Sequence, residues 1–265
     1  MATKIKFWQW ANILSIDASL IAVVWLWVFA REQSADLSPA SYAVLAMSVW
    51  LTYVSDRLFD AGSRHEEALV SVRHQFAKRR AETLWSAWAA VLVINLWIAL
   101  SGLNPDQLQK GFALLALCLA YTASNHLLSK RFFPKELFVA LIFTGGMQVF
   151  LPELIDWPGL ISFALLCLTN CLCIGWKETA VDTSLKIRSL SSISDPRWFY
   201  PLVLAALCFA AISSCPMALL PAIALLLIIQ TRQRHCRTEF FRLLCDASLL
   251  AGPLAYFFFS GVLVR

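Results

Sequence analysis

Charged residues are scarce in this chain. Asp, Glu, Lys and Arg make up only 15% of its 265 residues, whereas hydrophobic residues make up 59%. A soluble domain carries about 25% charged and roughly 45–50% apolar residues. The shortage of charge therefore indicates an integral membrane protein, which we expect in a bacterial inner membrane. Membrane lipids are expected partners of such a chain, and nucleic acid is not.

Glycine is also scarce, and the cysteines lack a metal-binding pattern. The chain has 9 glycines, and Gly145-Gly146 has no clear counterpart later in the sequence. Transporters often break their helices with Gly or Pro at repeat-matched positions, so this counts against transport. Cys171-x-Cys173 has one intervening residue where a zinc knuckle needs two. We expect the eight cysteines to be small buried hydrophobes.

Long apolar segments run through the whole chain. A spanning helix needs about 20 mostly apolar residues. Nine segments qualify or nearly qualify, at about 11–30, 39–59, 83–102, 108–128, 135–152, 158–177, 198–214, 216–231 and 242–262. If the N-terminus is cytoplasmic, all of the 22 basic residues except Arg31, Lys110 and Arg265 fall on the cytoplasmic side. The sequence therefore predicts one all-α membrane domain over 1–265, with nine transmembrane helices, a cytoplasmic N-terminus and a C-terminus outside.

Two pairs of carboxylates close two of these segments. Asp56 and Asp60 end the second segment, and Glu178 and Asp182 end the sixth. A spacing of four residues puts both members of a pair on one face of a helix. Both pairs lie on the predicted cytoplasmic side, four helices apart, which suggests an internal repeat of helices 2–5 and 6–9. Carboxylates at membrane depth are costly, so we predict that the two pairs face each other across a cavity.

Cations surround the predicted site. Loops with several basic residues follow each carboxylate pair, at 61–80 and 183–196, and a third basic loop lies at 129–135. Four carboxylates at one mouth repel one another, and oxygen-only ligands favour Mg²⁺ as the ion that relieves the repulsion. Mg²⁺ shares its shell with substrate phosphates, while Lys and Arg hold other phosphate oxygens. An apolar bundle suits a hydrocarbon tail. The four carboxylates are thus candidate catalytic metal ligands for a lipid diphosphate.

The same stretches resemble the motifs of the UbiA-type intramembrane aromatic prenyltransferases. The first family motif, N-D-x-x-D-x-x-x-D, is matched by Thr52-Tyr53-x-x-Asp56-Arg57-x-Phe59-Asp60. The second, roughly D-x-x-Y-A-x-x-D-x-x-x-D, is matched by Cys171-x-x-Ile174-Gly175-x-x-Glu178-x-x-x-Asp182. The stretch 185–189 resembles the family continuation V-K-I-G-I-K-S, and Lys130-Arg131 resembles its Lys-Arg pair. Acidic positions are lost in both motifs, which should weaken metal binding and leaves room for one Mg²⁺ site instead of two.

The resemblance implies a fold, a reaction and a set of contacts. It implies a nine-helix UbiA-like bundle that uses Mg²⁺ to transfer a prenyl group from an isoprenyl diphosphate to an aromatic or other lipophilic acceptor. The active site would face the cytoplasm. The implied diphosphate contacts are Arg64, Arg73, Lys78, Lys130, Arg131 and Lys186. Tyr53 is expected to pack on the cation or donate to phosphate, and Asn170 to support the site.

One further candidate comes from the residues themselves, and the departures from the family motifs leave alternative functions open. Asp246 is an intramembrane acid one turn after Arg242, so we expect it in the cavity. His74 sits among charges and is expected at the surface. The alternatives to prenyl transfer are an intramembrane terpene cyclase and a non-catalytic lipid-binding or transport protein. The basic loops are equally typical of positive-inside topology and of contact with anionic lipid.

Overall fold

The computed structural model describes residues 5–62, 69–128, 132–151, 156–179, 181 and 188–263. Within these ranges the chain is helical and contains no strand, so the all-α prediction is confirmed. The sequence-predicted site residues Arg64, Lys130, Arg131, Asp182 and Lys186 lie outside the described residues.

Each of the nine predicted apolar segments coincides with a helix of the described chain, and the first covers parts of two, Trp10–Ile13 and Ile16–Glu32. We number the helices α1 (Trp10–Ile13), α2 (Ile16–Glu32), α3 (Pro39–Gly62), α4 (Val72–Arg79), α5 (Ala81–Gly102), α6 (Pro105–Leu128), α7 (Lys135–Gln148), α8 (Trp157–Lys177), α9 (Leu190–Ile193), α10 (Phe199–Ala211), α11 (Pro216–Thr231) and α12 (Thr238–Leu263). Short 3-10 turns precede α1, α10 and α12.

Several of these helices are suited to crossing a membrane. In the described ranges three are long and apolar enough, at Ala81–Gly102, Trp157–Lys177 and Thr238–Ser260. A fourth is added if Phe7–Ile13 and Ile16–Glu32, which are bent by 72°, form one span. The chain therefore has the helices of an integral membrane protein, while nine crossings and the orientation of the termini stay predictions.

The chain divides into two compact units, and the single-domain prediction stays a prediction. The first unit comprises Met1–Val23, Ser38–Phe133 and Thr179–Arg188. The second unit comprises Val24–Leu37, Pro134–Glu178 and Ser189–Arg265.

The first unit is built on α3, which packs against α4 and α5. Its apolar core contains Val54, Leu58, Ala61, Leu69, Ala77 and Val181. Helix α5 buries little of its own surface and exposes large apolar side chains such as Val93, Trp97 and Leu100. An apolar face of this kind is the surface that a spanning helix presents to lipid.

The second unit is built on α8, which packs against α7, α10, α11 and α12. The rings of Trp25, Phe29, Phe143 and Phe163 stack at its centre, with the Trp25 and Phe163 centroids 4.5 Å apart. The indole Nε1 of Trp25 donates to the backbone carbonyl of Leu249, 2.7 Å away. Large buried rings with a satisfied indole N–H stabilise the helix packing here.

Asp156 ties together two connections at one end of the second unit. It precedes α8, and its Oδ1 accepts a hydrogen bond from the backbone N–H of Gly159 at 3.0 Å, which caps the helix. Its Oδ2 accepts from the backbone N–H of Ser214 at 3.2 Å and from the Ser214 hydroxyl at 2.7 Å. Burial, and then the charge of Asp156, raise the pKa of the Cys215 thiol, whose Sγ lies 3.8 Å from the same Oδ2. The carboxylate thus holds the start of α8 to the turn between α10 and α11.

The order of elements is similar in the two units. Helix α3 is followed by the short α4, which packs on it, and then by α5. Helix α8 is followed by the short α9, which packs on it, and then by α10. The Glu136 carboxylate accepts from the backbone N–H groups of Leu190 and Ser191, both at 3.0 Å, and so holds α9 in place. This order supports the predicted relation between the second and sixth apolar segments.

Candidate functional site

The first carboxylate pair lies near the end of α3 in the first unit. Asp56 and Asp60 are half-buried and share one face of the helix, as their spacing predicted. Asp56 Oδ1 accepts a hydrogen bond from Nδ2 of Asn125 on α6, at 3.4 Å. Asn125 is buried, and its Oδ1 has no hydrogen-bond partner among the described residues. The amide therefore brings a second polar side chain from α6 to the first aspartate.

Arg57 lies between the two aspartates in sequence, but its side chain donates to backbone carbonyls. Its side chain is buried, and Nη1 donates to the carbonyls of Asn12, at 2.9 Å, and of Ile13. These carbonyls lie at the end of α1, where Ser15 takes a positive φ of 58° and the chain turns into α2. Trp50 Nε1 donates to the neighbouring Leu14 carbonyl at 2.9 Å. Sequence reasoning missed this role of Arg57, because the acceptors are backbone groups far away in the chain.

The described basic and aromatic candidates of the first unit take different positions. Lys78 on α4 donates from Nζ to the carbonyl of Gly62 at 3.0 Å, where a cation stabilises the end of α3. Arg73 and Tyr53 are half-buried on α4 and α3. The surface prediction for His74 is wrong, because its side chain is only 5% exposed. His74 lies three residues before the buried Ala77, on the face of α4 that packs toward the core.

In the second unit, four polar residues of α8 and α12 come together, and we call them the Arg242 cluster. They are Asn170, Glu178, Arg242 and Asp246. Arg242 Nη1 donates to Glu178 Oε2 at 2.9 Å. Its Nε lies 3.9 Å from Asp246 Oδ2, and Asn170 Nδ2 donates to Asp246 Oδ1 at 3.4 Å. The four-residue spacing on α12 puts the cation and the acid on one helix face, as predicted.

The Arg242 cluster is a largely buried group of charges. The side chains of Glu178, Arg242 and Asp246 are 9%, 18% and 17% exposed. Asn170 is buried, and within the described part of the chain its Oδ1 has no hydrogen-bond partner. Ionised groups this deep need opposite charges, because burial removes the water that would otherwise stabilise them. The structure therefore brings together three of the sequence-predicted residues and adds Arg242, which the sequence indicated only as a neighbour of Asp246.

The described carboxylates do not by themselves fit a metal site. Asp56, Asp60 and Glu178 offer the oxygen ligands that Mg²⁺ prefers. However, in the part of the chain that the structure describes, no three His, Cys, Asp or Glu side chains are grouped so that they could hold a metal ion. The carboxylate of Glu178 is engaged by Arg242. The predicted meeting of the two pairs stays a prediction, since Glu178 belongs to the other unit and Asp182 lies outside the described residues.

No protein-family model, curated protein or solved structure matches this chain. The likeness to the UbiA-type prenyltransferases therefore remains a resemblance of motifs and of predicted topology.

Proposed function

We propose that the chain binds an isoprenyl diphosphate and transfers its prenyl group to an aromatic or other lipophilic acceptor within the membrane. The proposal includes nine crossings, a cytoplasmic N-terminus and an active site facing the cytoplasm of a bacterial cell. It also includes Mg²⁺ as the cofactor, because Asp56 and Asp60 carry only oxygen ligands.

The observation that carries the proposal is the Arg242 cluster. It lies at the end of α8, one of the candidate membrane spans, and combines a guanidinium with two carboxylates and a buried amide. Ionisable groups within membrane helices are rare and mark sites of function. A guanidinium at such a depth binds phosphate oxygens strongly. The apolar helices around it provide apolar surface against which a long hydrocarbon tail can pack.

The proposed reaction breaks one bond of the donor and forms one bond to the acceptor. The bond between the allylic carbon and the diphosphate oxygen breaks, and the diphosphate leaves with the electron pair. The acceptor forms a bond to the allylic cation and loses a proton. In this scheme Arg73 and Lys78 hold the leaving diphosphate together with Arg64, Lys130, Arg131 and Lys186. Tyr53 stabilises the cation with its ring.

A second candidate function is lipid diphosphate binding without turnover. One specific contact favours it: Arg242 engages Glu178, the residue at the position of a family metal ligand. An acid that is held by a guanidinium is not available to a metal ion without losing that partner. A chain with this arrangement is suited to retaining a diphosphate lipid rather than ionising it.

Release of diphosphate by the purified full chain tests the proposal. The donors are geranyl, farnesyl and geranylgeranyl diphosphate, each with and without Mg²⁺, and the variants are Asp60→Asn and Asp182→Asn. We expect Mg²⁺-dependent release that each variant lowers about 100-fold, the scale on which electrostatic catalytic groups act. Asp106→Asn, at an exposed pair with Lys110, is the matched control and should retain full activity.

The outcomes separate the candidates. The organic product distinguishes transfer from cyclisation, since a cyclase forms a cyclic hydrocarbon or alcohol without an acceptor. A folded protein that binds the donors with micromolar affinity and releases no diphosphate supports the binding protein. Release that persists in both variants refutes the assigned roles of the carboxylates.

A further inference from the structure

The Arg242 cluster already contains its own cation. We infer that Arg242 is the fixed cation of the second carboxylate group, and that Glu178 is a positioning residue for Arg242 and not a metal ligand. The inference deepens the proposed function, on which its consequence for Mg²⁺ rests. Among the described carboxylates, Asp56 and Asp60 then remain as the candidate Mg²⁺ ligands.

The geometry of the ion pair supports this assignment. The Nη1–Oε2 distance of 2.9 Å is that of a charge-assisted hydrogen bond, and both side chains are largely buried. A Mg²⁺ ion needs its carboxylate oxygens at about 2.0–2.1 Å. An ion bound to Glu178 would therefore lie beside the guanidinium and repel it in a poorly solvated environment. An ion at Glu178 would thus compete with Arg242 for the same carboxylate.

The balance of charge points the same way. Lys177, Glu178, Arg242 and Asp246 together carry no net formal charge. Lys177 donates from Nζ to the Gln233 carbonyl at 2.8 Å and lies 5.9 Å from the centre of the Phe241 ring. It is thus held on the loop before α12. The Arg242 cluster without Lys177 has a net formal charge of −1, so it attracts a divalent ion less than a bare pair of carboxylates does.

The cluster also indicates what Arg242 does for an anionic lipid head. A guanidinium has five N–H donors, and Nε of Arg242 makes no hydrogen bond to any residue that the structure describes. Glu178 and Asp246 contact different nitrogens, which fixes the plane of the guanidinium. A fixed guanidinium binds a phosphate oxygen with less loss of side-chain entropy than a mobile Lys. Glu178 therefore acts on the lipid through Arg242.

Binding of Mn²⁺ alone, measured by electron paramagnetic resonance on the full chain in detergent, tests the metal part. Mn²⁺ takes the oxygen ligands of Mg²⁺ and is visible to the method. We expect Glu178→Gln to leave the Mn²⁺ affinity within about twofold of the wild type. Asp60→Asn should weaken it about tenfold or more, the range in which changes around a metal act. Asp106→Asn is the control. A tenfold loss in Glu178→Gln would overturn the inference.

A cycle of thermal unfolding in the absence of metal tests the ion pair independently of any activity. The variants are Arg242→Gln, Glu178→Gln and the double variant, with Arg232→Gln at an exposed arginine as the control. Arg242→Gln leaves two buried carboxylates without their cation, so we expect the Tm to fall by about 5 °C or more. The double variant should lose clearly less than the sum of the single losses. Additive losses would overturn the pairing.

The two tests distinguish a failure of the inference from a failure of the proposed function. A wild type that neither binds Mn²⁺ nor releases diphosphate refutes Mg²⁺-dependent transfer. If the losses in the unfolding cycle are non-additive in that case, they still support Arg242 as the cation of the Arg242 cluster. Loss of Mn²⁺ binding in Glu178→Gln together with active release supports the enzyme and refutes the inference.

Discussion

Replacing Asp156 by Asn is expected to destabilise the second unit strongly, although the two side chains have nearly the same size. The amide keeps one oxygen, which continues to cap α8 through the Gly159 N–H. The other atom becomes an NH₂ donor facing the backbone N–H and the hydroxyl of Ser214. The substitution therefore removes the contacts between the two connections and leaves the helix cap in place.

The magnitude follows from the two hydrogen bonds that are lost. Hydrogen bonds to a charged group contribute about 1.5–3 kcal/mol each. Asp156 is buried, so water does not replace the carboxylate, but the Ser214 hydroxyl can rotate toward another acceptor. We therefore expect a loss of about 3 kcal/mol in the free energy of unfolding. For a chain of this size that corresponds to a fall in Tm of roughly 6–12 °C.

The assay is thermal unfolding of the purified full chain in one detergent, followed by intrinsic Trp fluorescence. Asp195→Asn is the matched control, because Asp195 is an exposed residue whose side chain also caps a helical turn, through the Arg197 N–H at 2.8 Å. It should change the Tm by about 2 °C at most, as surface substitutions usually do. Equal shifts in Asp156→Asn and Asp195→Asn would refute the reasoning, since they would show that the contacts to Ser214 contribute nothing.

Two further predictions concern helix packing. Gly252→Ala should lower the Tm by several degrees, because its added Cβ would meet the backbone carbonyl of Ala218 on α11. Gly62→Ala should leave the Tm unchanged, because no described atom lies within 4 Å of its added Cβ. Equal Tm values for the two variants would contradict this. Arg57→Lys should cost about 2 kcal/mol in urea unfolding, because the shorter Lys side chain does not bring its ammonium to the two carbonyls at the end of α1 that accept from Nη1. The exposed Arg80→Lys should be neutral. Unchanged stability of Arg57→Lys would show that these two contacts contribute nothing.

The helices and their polar ends were predictable because they depend on local pattern. An apolar run of membrane length is expected to form a helix, because in lipid the backbone has to satisfy its own hydrogen bonds. The i,i+4 spacing put Asp56 and Asp60 on one face, and Arg242 one turn before Asp246, before any tertiary contact was known. The all-α class, Glu178 and Asp246 were predicted from such patterns, and Asn170 from the family resemblance.

The partners of the charged residues were not predictable, because they lie far away in the chain. Arg242 and Glu178 are 64 residues apart. Periodicity identifies the face of a helix that a residue occupies, but not the helix that packs against that face. For the same reason Arg57, in a stretch that resembles a metal motif, was not recognised as a support for the turn between α1 and α2. His74 was misjudged because charged neighbours in sequence do not reveal which face of α4 packs toward the core.

The sequence by itself determined the class of this protein, the positions of its helices and the residues that have to be explained as buried charge. Composition and periodicity reflect interactions between residues that are close in the chain, and these interactions do not depend on where the segment lies in the fold. Only the tertiary structure decided which cation neutralises which acid, because that depends on the approach of α8 and α12 and on the loss of water around them. It shows that Glu178, which the sequence predicted as a metal ligand, accepts a hydrogen bond from Arg242.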